Sequence, residues 1–446
     1  MELLDRCIRY YESKTKRSKL LFERASRLIP ASTSHNIRYF EPYPFFTQMA
    51  SGKFIYDVDG NAYTDYWMGH WSLILGHAPK IVVDTLRERV YRGTLFGTVN
   101  EYALMLAEKI HELMPRAEMV RFCTTGSEAT MYAVRLARAY TGKRVIAKIE
   151  GGWHGFNSDL NYAVNYPYEE CECRGMQMEQ SYVVALPFND VDGSISILDK
   201  VKDDLAGIIV EPLLGGAGCI AGDKDYLHAL QEYARKNGSL FILDEIVTGF
   251  RLSLHGAQSI YALEPDVFTL GKIVGGGMPV GVVCATKEIM DISDIRGKGK
   301  SERVSIGGGT FSENPLSMVT GYAMLDHLSR NEYIYERLNT LGEYIRSNVD
   351  KVMNENGLRV KTAGLGSLFL THILDGADDI KSARDVARCN ARLQRVYHFA
   401  LLSMYDIFFL PNKLGALSVE HDMVDARRLI DASEEIAREL RGMKME

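Results

Sequence analysis

Short apolar runs alternate with helical periodicity along the middle of the chain. Each apolar run has the length of a buried strand, and the runs cover residues 144–149, 206–210, 240–243, 266–270 and 280–285. Residues 127–140 and 225–236 repeat their apolar positions with the spacing of a helix. This alternation predicts an α/β fold in which helices cover a mostly parallel sheet, with ligands bound at the carboxyl ends of the strands.

Both ends of the chain have a different pattern. Residues 1–28 predict a helix, and the alternating segment 53–66 contains an Asp59-Gly60 turn that predicts a β-hairpin. From about Ser329 another α+β unit begins, and it ends in a charged helix over residues 422–440. We therefore predict a large domain over residues 71–328 and a small α+β domain formed by residues 1–70 and 329–446.

Composition narrows the class of protein. The 446 residues are 46% hydrophobic and 25% charged, as in ordinary soluble globular proteins. The net charge of −6 and the scattered basic residues give no sign of a nucleic-acid partner. We see neither an apolar run of about 18 residues, as a membrane helix requires, nor a secretory leader, and we expect a cytoplasmic protein without a membrane partner.

The chain has seven cysteines, most of them inside apolar runs, which is typical of buried free thiols in a reducing compartment. Cys171 and Cys173 form the only cluster. A metal or redox site there is an open alternative, but no second pair has ligand spacing. We therefore predict no metal.

Lys272 stands between a predicted strand and a run of three glycines that begins at Gly275. Burying an ammonium group is costly unless the group is neutralised, and a lysine that loses its proton readily is a nucleophile towards aldehydes. Glycine-rich nucleotide motifs do not fit, because Asp266 and Ile273 stand at required P-loop positions and Val280 replaces the last glycine of the dinucleotide motif. The sequence therefore points to a reactive amine.

Asp244 and Glu245 follow the apolar run 240–243, which places a carboxylate at the carboxyl end of a buried strand. An exposed acidic pair at the start of a loop is the other interpretation. Residues 123–142 begin with Thr125-Gly126-Ser127-Glu128 before a helical pattern, and Thr125 with Glu128 fits a capping box. The amides of Gly126 and Ser127 would suit a phosphate, although a simple helix cap explains them as well.

Taken together, a phosphate cradle, a lysine amine and a carboxylate are what a pyridoxal phosphate site requires. The lysine carries the cofactor, and the carboxylate keeps the pyridine nitrogen protonated so that the ring can accept electrons. The combination indicates this cofactor far more strongly than any one of the three features.

The sequence also resembles the class III aminotransferases and, within them, the glutamate-1-semialdehyde aminomutases. The resemblance covers nearly the whole chain and is carried by ordered motifs, among them DVDGNAYTDY, GSEATMYAVRLARAYTG, DEIVTGFR, LGKIVGGGMPVG and GTFSENPLSM. It implies a pyridoxal phosphate enzyme of fold type I, with a large α/β domain and a smaller α+β domain.

The resemblance also implies roles for individual residues. Lys272 matches the lysine that carries the cofactor, and Asp244 matches the partner of the pyridine nitrogen. Gly126 and Ser127 match the phosphate-binding pair. Around the ring, Val247 and Trp153 would contact its two faces, His154 would support Asp244, and Glu211 belongs to a Glu-Pro motif of the cofactor site.

Other family positions concern the partner subunit and the substrate. Thr310 matches a threonine that reaches the phosphate of the neighbouring subunit, which implies a homodimer with active sites at its interface. Arg38 matches an arginine that grips a substrate carboxylate, a task suited to its planar fork, and Ser34 would assist it. The expected partners are therefore small amino and oxo substrates and a second copy of the chain.

Departures from the aminomutase pattern affect the substrate. The Gly/Ser-rich gating loop after the His-Gly pair is not recognisable, and Gly415 stands where aminomutases carry a glutamate. Gly216 replaces an asparagine, and Glu313 replaces a glycine in the loop of Thr310. These changes favour an aminotransferase acting on a carboxylate-bearing amino acid or amino-carbonyl compound, with an aminomutase or racemase as the alternative.

Overall fold

The fold is described from a computed structural model for residues 2–170 and 179–441. Cys171 and Cys173, the cluster considered above for a metal or redox site, lie outside the described residues. The strands of the described chain are β1 (Thr47–Ser51), β2 (Phe54–Asp57), β3 (Ala62–Asp65), β4 (Met119–Cys123), β5 (Val145–Ile149), β6 (Val183–Leu186), β7 (Leu205–Val210), β8 (Leu213–Leu214), β9 (Ile220–Ala221), β10 (Leu240–Asp244), β11 (Val267–Gly271), β12 (Gly281–Ala285), β13 (Val360–Leu365), β14 (Leu368–Ile373), β15 (Ile407–Phe408) and β16 (Gly415–Ala416).

The helices of the described chain are α1 (Glu2–Lys14), α2 (Lys16–Ala25), α3 (Met68–Trp71), α4 (Lys80–Arg89), α5 (Glu101–Leu113), α6 (Gly126–Thr141), α7 (Val191–Leu198), α8 (Lys224–Lys236), α9 (Gly256–Tyr261), α10 (Lys287–Met290), α11 (Pro315–Arg330), α12 (Tyr333–Glu355), α13 (Ala383–Ala387), α14 (Ala391–Tyr405) and α15 (Met423–Leu440).

The chain forms two compact units. The first contains the residues up to Pro79, Arg337–Ile380 and the residues from Asp385 onwards, and the second contains Lys80–Glu336 and Lys381–Arg384. The domain limits of 70 and 328 remain predictions from the sequence, and the compact units have other limits.

The second unit is built on a seven-stranded sheet with the order β4-β12-β11-β10-β7-β5-β6. Strands β11, β10, β7, β5 and β6 are parallel to one another, whereas β12 runs antiparallel to both β11 and β4. Because both faces of the sheet are covered, the central strands are apolar along nearly their whole length. The predicted α/β fold with a mostly parallel sheet is confirmed, and β12 is its antiparallel exception.

Helix α6 shows how the local sequence fixes an element that reaches the site. The hydroxyl of Thr125 accepts a hydrogen bond from the amide of Glu128, and the Glu128 carboxylate accepts one from the amide of Thr125, which completes the predicted capping box. Its apolar face, which includes Ala129, Ala133 and Leu136, is buried against the sheet. Thr125 thereby fixes the start of the helix beside the carboxyl ends of the strands.

The first unit contains a sheet of order β1-β2-β3-β15 and a three-stranded sheet of order β13-β14-β16. The predicted hairpin is present as β2 and β3, which pair in antiparallel fashion, and Gly60 takes a positive φ of 91° in its turn. The prediction of one helix over residues 1–28 is wrong, because α1 and α2 are separate. Thr15 separates them, and its hydroxyl bonds the Tyr11 carbonyl at 2.6 Å and the Tyr43 hydroxyl at 3.0 Å.

No helix within the described ranges is both long enough and apolar enough to cross a membrane. The same part of the chain contains no group of three or more His, Cys, Asp or Glu side chains placed to hold a metal ion.

Candidate active site

Three ionisable side chains lie at the carboxyl edge of the large sheet. Glu211 follows β7, Asp244 ends β10, and Lys272 follows β11. These three strands are parallel neighbours, so the side chains leave the sheet at the same edge. Lys272 interacts electrostatically with both Asp244 and Glu211. Three residues that are distant in sequence therefore form one polar cluster.

Asp244 is almost completely buried, with 3% of its surface exposed, and its hydrogen bonds fix both oxygens. Oδ1 accepts bonds from the Thr269 hydroxyl at 2.9 Å and from the Ile246 amide at 3.1 Å. Oδ2 lies 2.7 Å from Nδ1 of His154. Thr269 is opposite Asp244 in the parallel register of β10 and β11. A buried carboxylate held in this way is a fixed negative charge at the base of the site.

His154 is buried beside Asp244, where the charged form of its imidazole is disfavoured. A carboxylate can only accept, so Nδ1 carries the proton that is donated to Asp244. Nε2 is buried and has no hydrogen-bond partner among the described residues. Burial lowers the pKa of His154, and although Asp244 opposes this effect, the positive charge of Lys148 adds to it. His154 therefore orients Asp244 without neutralising it.

Glu211 ties the segment after β5 to the end of β7. Its Oε1 accepts a hydrogen bond from the Trp153 amide at 2.8 Å, and Oε2 accepts one from the Gly215 amide at 3.0 Å. Burial and the charge of Asp244 raise the pKa of Glu211 to about 8, although the two amides and Lys272 oppose the shift. Trp153 as a residue remains 40% exposed. Glu211 therefore retains its proton near neutral pH, next to an aromatic side chain that is available for contact.

Lys272 occupies a strained backbone position. Its φ of 52° is in the left-handed region, where a residue with a Cβ costs roughly 1–2 kcal/mol. Burial lowers the pKa of Lys272; Asp244 and Glu211 oppose this shift, and Arg251 reinforces it. Strain of this kind persists where the surrounding structure enforces it, often at functional sites. The amine is thus held in the cluster with an increased tendency to lose its proton.

The start of α6 packs against the same cluster. A Cβ on Gly126 would lie 2.5 Å from Cδ1 of Ile246, so only glycine lets the helix approach the turn after Asp244 this closely. Ser127 contacts Gly155, where a Cβ would lie 2.2 Å from the Ser127 hydroxyl oxygen. The first amides of a helix form a favourable place for an anionic group. This helix start supplies the third component of the site.

The remaining predicted residues have different surroundings. Val247 is buried in the turn after Asp244, and Thr310 is exposed in a loop of the same unit. Ser34 and Arg38 are exposed and belong to the first unit. The second unit thus brings together Lys272, Asp244, Glu211, Trp153, His154, Gly126, Ser127 and Val247.

Sequence reasoning missed Thr269 in this cluster and did not separate the roles of Asp244 and Glu245. Thr269, which bonds Asp244, is a polar residue inside an otherwise apolar strand, a signal that could have identified it. Glu245 points away from the cluster and accepts bonds from the Ala257 amide at 2.7 Å and the Gln258 amide at 2.9 Å, which anchor the start of α9. The two carboxylates of the Asp-Glu pair therefore have different tasks, which sequence alone did not separate.

Comparisons with known proteins agree in fold and family. The family described as Aminotransferase class-III matches residues 38–380. A protein named glutamate-1-semialdehyde 2,1-aminomutase from Methanobrevibacter smithii is 36% identical over 422 residues, which cover 94% of this chain and 97% of that protein.

Two solved structures are similar over almost their full length. An omega-transaminase from Sphaerobacter thermophilus has a TM-score of 0.88 and 32% identity, covering 95% of this chain and 98% of the other. A structure described as a transaminase with PLP bound has a TM-score of 0.87 and 30% identity, covering 96% of this chain and 98% of the other.

The raised pKa of Glu211 predicts a pH dependence of stability. Because the folded-state pKa of about 8 lies above the ordinary value of 4.5, the folded protein holds this proton more tightly than the unfolded chain. The free energy of unfolding should therefore fall as pH rises between these values. We expect Glu211→Gln, which cannot ionise, to be more stable relative to the wild type at pH 8 than at pH 5. These pH values are chosen to lie roughly within the window in which the group titrates.

Urea unfolding of the cofactor-free protein, followed by circular dichroism at both pH values, measures the difference. Glu232→Gln, at an exposed position of α8, is the matched control and should leave the pH dependence unchanged. Equal relative stability of Glu211→Gln at the two pH values would contradict the assignment.

Proposed function

This chain belongs to the class-III aminotransferase family, and from that premise we propose that it transfers amino groups between carboxylate-bearing amino and oxo compounds. It is a pyridoxal-phosphate-dependent enzyme. When bound, pyridoxal phosphate supplies an aldehyde that a lysine amine can capture and a ring that accepts electrons from the substrate carbon. The alternative is an aminomutase, the name of the Methanobrevibacter smithii relative.

The residues of the cluster fit this cofactor. Lys272 offers an amine whose pKa is lowered by burial, and Asp244 offers a buried carboxylate for a ring-nitrogen proton. Gly126 and Ser127 at the start of α6 would bind the phosphate. Trp153 and Val247 would contact the two faces of the ring. His154 bonds Asp244, and Glu211 accepts a hydrogen bond from the Trp153 amide.

Lys272 has two successive tasks in this proposal. With pyridoxal phosphate bound, the Lys272 amine would hold the aldehyde of the cofactor. Once displaced by a substrate amine, Nζ would be placed to take a proton from the substrate carbon and to return one, as a general base and then as a general acid. The Asp244 carboxylate is held in one orientation, because its oxygens are bonded by Thr269, Ile246 and His154.

The surroundings of Gly415 support an aminotransferase over an aminomutase. Gly415 pairs with Phe369 between β16 and β14, and a Cβ at this position would lie 2.3 Å from Cε1 of Phe409. Phe409 is itself held between the ring of Tyr66, at a centroid distance of 5.0 Å, and the ring of His398, at 5.2 Å. Packed aromatic rings occupy the space that a side chain at this position would need. This is the observation that carries our preference.

Arg38 is the proposed ligand of the substrate carboxylate, assisted by Ser34. The Arg38 Nε donates to Nε2 of His70 at 3.4 Å, which orients the guanidinium. Its terminal nitrogens have no protein acceptor among the described residues, so the fork is available to a carboxylate. His70 in turn contacts the Trp67 ring, at a centroid distance of 4.4 Å.

The turn that carries His70 is strained. Met68, His70 and Trp71 have positive φ values of 45°, 60° and 67°, so α3 is a left-handed turn. The Trp71 indole nitrogen donates to the Leu414 carbonyl at 2.8 Å, which holds the turn in place. Backbone strain at three residues with side chains costs several kcal/mol by the usual scale. A role in substrate binding gives a reason for keeping this arrangement.

We also propose a homodimer in which Thr310 reaches the phosphate site of the partner subunit. Tyr91 and Val99 are 91% and 89% exposed, although large apolar side chains are normally covered. This surface is joined to the loop of Thr310, because Asn314 donates to the Thr94 carbonyl at 2.9 Å and Asn100 donates to the Glu313 carbonyl at 3.0 Å. A second copy of the chain would cover the apolar side chains and fix the Thr310 loop.

A cytoplasmic location is part of the proposal. The five cysteines in the described part of the chain are free and buried, as expected for a protein from a reducing compartment.

The first prediction separates the two reactions. When the pyridoxamine phosphate form receives glutamate-1-semialdehyde alone, we expect at most one conversion of the cofactor. Continued turnover should require a separate oxo acid and amino donor. Chromatographic measurement of 5-aminolevulinate detects the difference, and sustained production without a second substrate would establish the aminomutase instead. Lys272→Ala is the control for chemistry at the lysine. It should show neither turnover nor a borohydride-fixed cofactor adduct by mass spectrometry.

The second prediction concerns Arg38. We expect Arg38→Gln to raise the KM for a carboxylate substrate about 10- to 100-fold, the range for loss of a charge-assisted hydrogen bond. The KM for an amine without a carboxylate should change little. Steady-state kinetics on both amines measures this, with Arg27→Gln, an exposed arginine of the same unit, as control. An equal loss on both amines would argue against carboxylate binding.

The third prediction concerns assembly. We expect the wild type to sediment as a dimer and Val99→Asp to shift towards monomer, because a buried unpaired charge disfavours the interface. Val424→Asp, at another exposed apolar position with 71% exposure, should leave the dimer intact. Sedimentation velocity at several concentrations decides the matter, and a monomeric wild type would overturn this part of the proposal.

A further inference from the structure

Lys148 is a fully buried lysine that the proposed mechanism does not use. It lies in β5 with no exposed surface. Its Nζ donates to the Gly152 carbonyl at 2.8 Å and to the Tyr162 carbonyl at 2.5 Å. A buried ammonium is costly unless its hydrogen bonds are made. The reason for a lysine in a strand of otherwise apolar residues therefore lies in the backbone groups that its ammonium bonds.

Lys148 holds the segment that carries Trp153 and His154. This segment is fixed residue by residue: Lys148 bonds the Gly152 carbonyl, and Glu211 accepts from the Trp153 amide at 2.8 Å. The Thr130 hydroxyl donates to the His154 carbonyl at 2.6 Å. Lys148 is the cationic member of this set. It acts at the residue immediately before the two side chains of the site.

The same ammonium affects the charge of His154. Asp244 faces the imidazole and favours its protonation, whereas burial and Lys148 disfavour it, with the net result that the pKa of His154 is lowered. Glu211 and Lys272 are the further titratable groups around Asp244. Protonation of His154 would also leave a buried Nε2–H with no protein acceptor among the described residues. The lack of an acceptor for Nε2 among the described residues and the positive charge of Lys148 thus both favour the neutral form of His154.

We propose that Lys148 is a positioning residue of the active site, which fixes the Gly152–His154 backbone and keeps His154 uncharged beside Asp244. A cationic His154 would neutralise the Asp244 carboxylate and weaken its hold on a ring-nitrogen proton. A neutral His154 orients that carboxylate and leaves its charge available. The inference rests on the proposed binding of pyridoxal phosphate at this cluster.

The test measures how cofactor affinity depends on pH in Lys148→Met. Removing the ammonium should let the pKa of His154 rise towards its ordinary value, so affinity should be lost at higher pH than in the wild type. We expect the acid limb to move up by about one pH unit. The dissociation constant of pyridoxal phosphate should therefore increase by up to about threefold near pH 6, because the shifted pKa of His154 stays at or below its ordinary value of about 6.5, and much less near pH 8. Fluorescence titration of the cofactor-free enzyme gives both values.

Lys143→Met is the matched control, because the Lys143 Nζ also donates to two backbone carbonyls, Asn237 at 2.7 Å and Gly238 at 3.2 Å. It should leave the acid limb in place. Lys148→Gln, which retains a donor but not the charge, should shift the limb like Lys148→Met and serves if the Met variant does not fold. A loss that is equal at all pH values, or an unshifted limb, would overturn the proposal. A wild type that binds the cofactor without amino transfer would instead contradict the proposed function.

Discussion

Asp244 is an ionisable side chain with almost no exposed surface, and its two oxygens are held by a strand neighbour, a loop amide and a buried histidine. This arrangement depends on the parallel register that places Thr269 opposite Asp244. It also depends on the segment after β5, which brings His154 within 2.7 Å. The rest of the site follows from the need to keep one buried carboxylate charged and oriented.

The charge around this carboxylate is set by three neighbouring titratable groups, Glu211, Lys272 and His154. Burial raises the pKa of Glu211 to about 8, so Glu211 carries little negative charge near neutral pH. Burial lowers the pKa values of Lys272 and His154. Burial thus disfavours the charged form of each of these groups around Asp244, and Lys148 and Arg251 are buried cationic side chains of the same unit. Such a set suits an enzyme whose lysine must give and accept a proton.

The first unit carries the residues on which the proposed substrate choice rests. Its Arg38, His70 and left-handed turn form a candidate carboxylate site, and its aromatic rings fill the space next to Gly415. Phe409 stacks on Tyr66 with an angle of 3° between the ring planes, which leaves it little freedom to move aside. Packed aromatic rings therefore occupy the space beside Gly415 that a larger side chain would need.

The sequence by itself determined the α/β class, five of the seven strands of the large sheet, the capped start of α6, the aminotransferase family and its cofactor. Those features are encoded locally, in apolar runs, turn residues and ordered motifs. Only the tertiary structure showed that Asp244 and Glu245 have different bonding partners and that the N-terminal helix is interrupted at Thr15. It also showed that β12 runs antiparallel to its neighbours and that Lys148 bonds the Gly152 carbonyl. Each of these depends on contacts between residues far apart in the chain, and local propensity carries no information about such contacts.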